Sequence, residues 1–90
     1  MPCSVYALKS VFRKYIYVGL STNVPKRVQR HEEGRERTTK PYRPFELVLV
    51  EEFETRAAAR EREKYLKSGS GKEFLKRISE AKEFKSRPEK

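Results

Sequence analysis

The spacing of apolar residues divides the chain into short alternating segments and longer helical ones. Ser4 to Leu8 is β-leaning, Ser10 to Lys14 is a polar turn with two apolar residues, and Tyr15 to Val18 is aromatic and β-branched. This predicts two strands close enough in sequence to pair as an antiparallel hairpin. Gly19 is expected to close the second strand, where a missing Cβ permits a sharp exit or a close approach.

A helix is predicted over Val24 to Glu33. Asn23 is its N-cap, Pro25 is tolerated in its first turn, and Gly34 is its C-terminal stop. Gly34 to Pro44 reads as a loop. Phe45 to Phe53 is the strongest strand: Phe45, Leu47, Leu49 and Phe53 fall on one face, Val48 and Val50 on the other. Apolar residues on both faces predict a strand covered on both sides. A second helix is expected from Arg56 to Lys67, capped by Thr55 and ending near Gly69. After Gly71, Phe74, Ile78 and Ala81, with Leu75 alongside, recur at helical spacing. The order is β-β-α-β-α-α, an α+β class with helices packed on a small antiparallel sheet. Residues 1–85 are expected to form one domain and residues 86–90 a polar tail.

Charge narrows the partners. The net charge is +9 and 39% of the residues are charged. Such an excess favours a polyanion through phosphate contacts and counterion release. Nucleic acid is the first candidate. A membrane is not expected, because no segment is apolar enough to span a bilayer or lie deeply in one. Cys3 is the single cysteine, so an intrachain disulfide and a cysteine zinc site are both excluded. No secretory signal is evident, and a cytoplasmic location is expected.

Polar residues in apolar places give the candidate chemistry. Val24, Arg27, Val28 and His31 share one helix face, so Arg27 and His31 lean inward with two valines. Inward cations are costly unless paired or set at the rim of a cleft. Together, in a basic domain, they suggest a phosphate site. On the second helix the expected inward stripe is Ala58, Ala59, Arg62, Tyr65 and Leu66, with Glu63 at one border and Glu61 near the other. Either carboxylate could hold a divalent cation, and the pattern alone does not choose between them. Tyr6, Tyr15 and Tyr17 lie on the hairpin, and a phenolic oxygen beside a cation can orient or deprotonate water.

Ser4-Val5-Tyr6 and Tyr17-Val18-Gly19, then Arg27 with His31, then Glu63 within Arg62-Glu63-Lys64-Tyr65-Leu66-Lys67, form an ordered set. It resembles the GIY-YIG nuclease superfamily, and most nearly the small stand-alone bacterial members grouped with the excinuclease nuclease domain. Tyr42-Arg43-Pro44 and Gly71-Lys72-Glu73-Phe74-Leu75 are also similar to that subgroup. The likeness covers about Val5 to Phe74.

The resemblance implies a three-stranded antiparallel sheet flanked by helices, and hydrolysis of DNA phosphodiester bonds with Mg²⁺ or Mn²⁺ held by Glu63. That assignment decides between Glu63 and Glu61. It implies that Tyr6 or Tyr17 contacts the attacking water, that Arg27 contacts the scissile phosphate, and that His31 assists proton transfer. Gly19 is a structural motif residue. DNA is the expected partner, with RNA left open, together with a protein partner for targeting; the oligomeric state is not read from the sequence. Structure-selective cutting in repair or recombination would fit a chain with no room for a separate recognition domain.

Arg35, Arg37, Lys40, Arg43, Lys72 and Lys76 are candidate backbone contacts from charge alone. Two departures stand out. Ser4 replaces the leading glycine, and the asparagine that many members carry after the glutamate is missing, since Asn23 is the only asparagine. That absence favours a competing reading, a non-catalytic nucleic-acid-binding module on the same scaffold. An RNA-recognition motif fits less well, because Phe45 to Phe53 lacks the glycines and basic start of its second aromatic strand.

Overall fold

The computed structural model describes residues 2–86, with the backbone alone for residues 81–86. The strands are β1 (Cys3–Ser10), β2 (Ile16–Ser21) and β3 (Phe45–Phe53). They form one three-stranded sheet in the order β2-β1-β3, with both neighbours antiparallel to β1. Helices α1 (Val24–Glu32), α2 (Arg56–Lys67) and α3 (Gly69–Ser86) cover it.

Each face of β1 packs on a different layer. Tyr6 and Leu8 cluster with Val24 of α1, and Tyr17, Val28, Phe45 and Leu47 pack against them. Cys3, Val5 and Ala7 point the other way, into a core with Val18, Val48, Ala59 and Leu66 of α2, and Leu75 of α3. Cys3 is therefore a buried core residue.

Strand β3 serves both layers because of a bulge. Leu8 pairs with Leu47, but Ala7 pairs with Leu49, so Val48 is an extra residue on β3. Uninterrupted alternation would keep Phe45, Leu47, Leu49 and Phe53 on one face. Instead Phe45 and Leu47 pack on the α1 side, while Val48, Leu49 and Phe53 pack on the α2–α3 side. The expectation of cover on both sides fails at Val50, which is 47% exposed.

The helix ends follow local chemistry. The Asn23 side chain accepts from the Lys26 N–H at 3.2 Å, and the Asn23 N–H donates to Ser21 Oγ at 2.8 Å. At the other end of α1, Gly34 has φ +77°, its N–H donates to the His31 carbonyl, and the Arg35 N–H donates to the Arg30 carbonyl. That is the Schellman closure, which needs a left-handed residue. Several boundaries differ from expectation. Gly19 lies inside β2 rather than ending it. Only Ser68 separates α2 from α3, because its hydroxyl accepts from the Gly71 N–H and caps the new helix at once. Ser86, assigned to the tail, closes α3. The rest of that tail and the Ala81 side chain lie outside the described residues.

Candidate active site

The α1 side of the sheet gathers four of the predicted residues. Tyr6 on β1 and Tyr17 on β2 have ring centroids 6.1 Å apart. The α1 stripe turns inward as its periodicity requires: Val24 and His31 are buried, Arg27 and Val28 half-buried. The His31 ring lies 4.8 Å from that of Tyr17 and 5.9 Å from that of Tyr6.

Gly19 pairs with Tyr6 across the hairpin. A Cβ on Gly19 would meet the Tyr6 hydroxyl and Tyr17 Cε2, each at 2.8 Å. The missing side chain makes the space in which both rings stand, so this glycine is needed for contact rather than for a turn.

His31 is 1% exposed and bonded at both nitrogens. Nε2 lies 2.9 Å from the Tyr6 hydroxyl, and Nδ1 lies 2.8 Å from Thr39 Oγ1. The Thr39 hydroxyl donates to the Glu36 carbonyl at 3.4 Å. With that donor direction, Thr39 accepts from Nδ1–H, and bare Nε2 accepts the Tyr6 proton. Burial lowers the His31 pKa, and nearby Arg27 and Arg30 push the same way, partly offset by Glu36 and Glu32. Tyr6 is fully buried, and burial followed by the neighbouring Tyr17 pushes its pKa up to about 12, although Arg27 acts in the opposite direction. Both groups are thus neutral near pH 7. Tyr17 is only half-buried, so of the two tyrosines it is the one that meets solvent.

Arg27 stands against this pair. Burial alone would lower its pKa, but the Tyr6 hydroxyl, Glu36 and Tyr17 raise it overall. Its Nε is buried with no hydrogen-bond partner. Arg27 as a whole is only half-buried, so part of this cation stays open to an anionic acceptor.

Glu63 comes from the other layer. The inward side of α2 is narrower than predicted, because Ala58 and Tyr65 are exposed while Ala59 and Leu66 are buried. Arg62 leaves this stripe toward β3, where it forms a two-bond pair with Glu51 at 2.7 and 3.1 Å. Glu63 is about 100° further around the helix and therefore takes the opposite, β2 border. Its side chain is 16% exposed and pairs with Lys67 at 3.1 Å. Lys67 in turn lines a groove of about 920 Å³ together with Tyr15 and Tyr17.

No group of three His, Cys, Asp or Glu side chains is placed to cage a metal among the described residues. The donor set fits a different kind of site. Mg²⁺ is commonly held by one or two carboxylates, with water and substrate phosphate completing the shell. A mostly covered Glu63 suits that role by its donor chemistry; it belongs to the α2 layer, which packs on the other face of the sheet from the Arg27–His31 cluster.

The predicted backbone contacts divide. Arg35 is paired with Glu33 at 2.8 Å. Arg43 donates to the carbonyls of Lys40 and Glu32 and lies over Gly34, so it holds the loop together. Arg37 and Lys40 are exposed, and no ion pair among the described residues holds either side chain. Lys72 and Lys76, on α3, line the same groove as Tyr17. Sequence reasoning missed Thr39 and Glu36. Both sit in a loop without periodicity, so only the fold shows that they meet His31.

Fold and cluster together define a small α+β domain with its polar groups on the α1 face of the sheet. The family described as the GIY-YIG catalytic domain matches residues 2–84, and the chain belongs to that family of nucleases. Among its relatives are UPF0213 proteins. One from Staphylococcus saprophyticus is 38% identical over 72% of this chain and 80% of its own length. One from Natronomonas pharaonis is 40% identical over 71% of this chain and 75% of its own. The solution NMR structure of a UPF0213 protein from Bacillus halodurans is similar with a TM-score of 0.52 and 30% identity, covering 87% of this chain and 85% of that one. The family generally works with divalent metals and acts on DNA. No helix among the described residues is long and apolar enough to cross a membrane.

Proposed function

We propose that this protein is a metal-dependent endonuclease that hydrolyses DNA phosphodiester bonds. One observation carries the reading: the half-buried Arg27 cation stands beside two tyrosines and a neutral histidine. Arg27 offers a planar, permanently charged fork to the non-bridging oxygens of a phosphate. Tyr17, at the solvent side, orients the attacking water. The water's proton passes through the tyrosine hydroxyls to His31 Nε2, and Thr39 holds the ring so that this nitrogen stays bare. Glu63 would hold the divalent cation, which would supply charge neutralisation for the phosphate and the departing oxygen.

Arg27 reads phosphate rather than base edges, so selection would rest on DNA shape. Branched or flapped DNA is the expected substrate, which suits a place in repair or recombination and a cytoplasmic location. The test is cleavage of such DNA with Mg²⁺ or Mn²⁺ and with EDTA. Wild type nicks the substrate only with metal; Arg27→Ala and Glu63→Ala do not cut, and Glu63→Ala still binds. Equal cutting by Glu63→Ala would remove that residue from the mechanism. Metal-independent binding without cutting by wild type would leave a non-catalytic DNA-binding module.

A further inference from the structure

The β1–β2 turn presents the most exposed large apolar side chain among the described residues. Phe12 is 79% exposed and Val11 beside it 49%. Exposed Arg13 and Lys14 follow directly. A single exposed apolar side chain needs no explanation, but Phe12 and Val11 together at the tip of one turn, with two cations beside them, form a candidate contact.

The turn is held from several sides. The Val11 N–H donates to the Pro44 carbonyl at 2.9 Å, and the Ser10 hydroxyl donates to the Tyr42 carbonyl at 2.7 Å. Within the turn, the Arg13 N–H donates to Ser10 Oγ at 3.2 Å. Below it, the Tyr15 and Tyr42 rings stack at 3.8 Å, with the Arg13 guanidinium 5.9 Å from the Tyr42 ring. Phe12 therefore projects from an ordered base.

Its surroundings are cationic and lead to the site. Lys9, Lys14, Lys67, Lys72 and Lys76 line the groove that Tyr17 shares, against the carboxylates of Glu73 and Glu80 only. The chain from Phe12 to Tyr17 spans at most about 17 Å when extended. Duplex DNA rises about 3.4 Å per base step. The turn thus stands within about five base steps of a phosphate bound at the tyrosines. A second copy of this chain is a poor occupant, because two such tips would bring Arg13 and Lys14 against their own like charges.

We propose that the turn is a DNA wedge: Phe12 enters a base step beside the bound phosphate and opens it, while Arg13 and Lys14 hold the flanking phosphates. Apolar side chains are inserted between base steps in this way by proteins that unstack and kink a duplex. This rests on the nuclease reading and adds a reason for shape selection, since steps next to a branch or flap open most easily. The substrate class is duplex DNA with a weakened step close to the cut.

The experiment uses intact protein in EDTA and short duplexes with 2-aminopurine at successive positions beside a flap. Binding is read by anisotropy and unstacking by 2-aminopurine fluorescence; the same samples given Mg²⁺ report cutting. Wild type should raise the fluorescence several-fold at one position within five steps of the cut. Phe12→Ala, which removes only exposed surface, should abolish the rise and weaken binding about ten-fold, as loss of one base–aromatic stack does. Phe12→Trp should restore both. Flat fluorescence with bound wild type, or an equal rise with Phe12→Ala, would overturn the wedge while cutting kept the nuclease reading intact. Absence of any DNA binding would remove both. A dimer lost on Phe12→Ala would make the tip a self-association surface and end the proposal.

Discussion

The Tyr6 hydroxyl lies 2.9 Å from His31 Nε2, across 25 positions of sequence and two layers of the fold. Neither residue is exposed, and both are neutral near pH 7. Tyr6→Phe keeps the ring and removes the donor. Nε2 is then a buried acceptor without a partner, at a cost of about 1–3 kcal/mol in stability. The same change breaks the proton path, and acid–base help is worth about 10²–10⁴ in rate. Urea denaturation and single-turnover cleavage should both register it. A variant cutting at wild-type rate would place Tyr6 outside the chemistry.

Gly19 tests the same pair from the other side. In Gly19→Ala the new methyl presses on the Tyr6 hydroxyl and on Tyr17 Cε2. Tyr6 is fixed by burial and by His31, so the ring has little room to retreat. Overpacking of this kind costs about 1–3 kcal/mol. Cleavage should fall by more than the stability loss explains, because both rings shift. Thermal melting and a rate measured well below the melting point separate the two effects.

Dependence on pH follows from the directions of the shifts. Burial lowers His31, and the charges facing it are Arg27, Arg30, Glu36 and Glu32. The unfolded chain takes up its proton first, near the ordinary value of about 6.5. The contribution of neutral His31 is therefore complete above that pH and lost as pH falls through the lower folded value. Tyr6 has the opposite sign. Its hydroxyl is raised from 10 to about 12, so its contribution is complete below pH 10 and lost as pH rises toward 12. Stability measured across pH should fall at both ends. His31→Gln should flatten the acid side and Tyr6→Phe the alkaline side, and cleavage should share the acid limb.

Much of this site was legible in the sequence. Periodicity alone set Arg27 and His31 on one inward face, and both point there. The caps at Asn23 and Thr55 and the stop at Gly34 were legible because each rests on local hydrogen bonds. What could not be read depends on contacts between distant segments. Strict alternation has no way to register the extra residue at Val48. Nothing local marks Thr39, whose importance comes from the placement of His31 above it. Tyr65 was expected inside α2 and is outside, because the stripe turns toward Glu63 instead.

The basic loop should behave unevenly. Reversal of Arg37 and Lys40 to glutamate removes cations that hold nothing else among the described residues. DNA affinity should fall, and the salt dependence of binding should flatten by about one charge per lost contact, with no change in melting temperature. Arg43→Ala should instead lower the melting temperature, since its guanidinium bridges the carbonyls of Lys40 and Glu32. Arg35→Ala should do little to either, being an exposed pair worth about 0–1 kcal/mol. Anisotropy titrations at several salt concentrations, beside melting curves, distinguish the three outcomes.

The extra residue on β3 ties that strand's length to the way it pairs with β1. Leu47 and Leu49 face opposite layers because their partners on β1, Leu8 and Ala7, are neighbours, while Val48 lies between the two leucines on β3. Exchanging one aliphatic side chain for another leaves this phase intact. Regular pairing at the present length would slide Phe45 and Leu47 across the sheet and strip the wall on which α1 carries its arginine and histidine, whereas deleting Val48 would leave plain alternation with the same faces. A related chain one residue shorter between Phe45 and Phe53 should therefore lack the bulge and still present the same wall to α1.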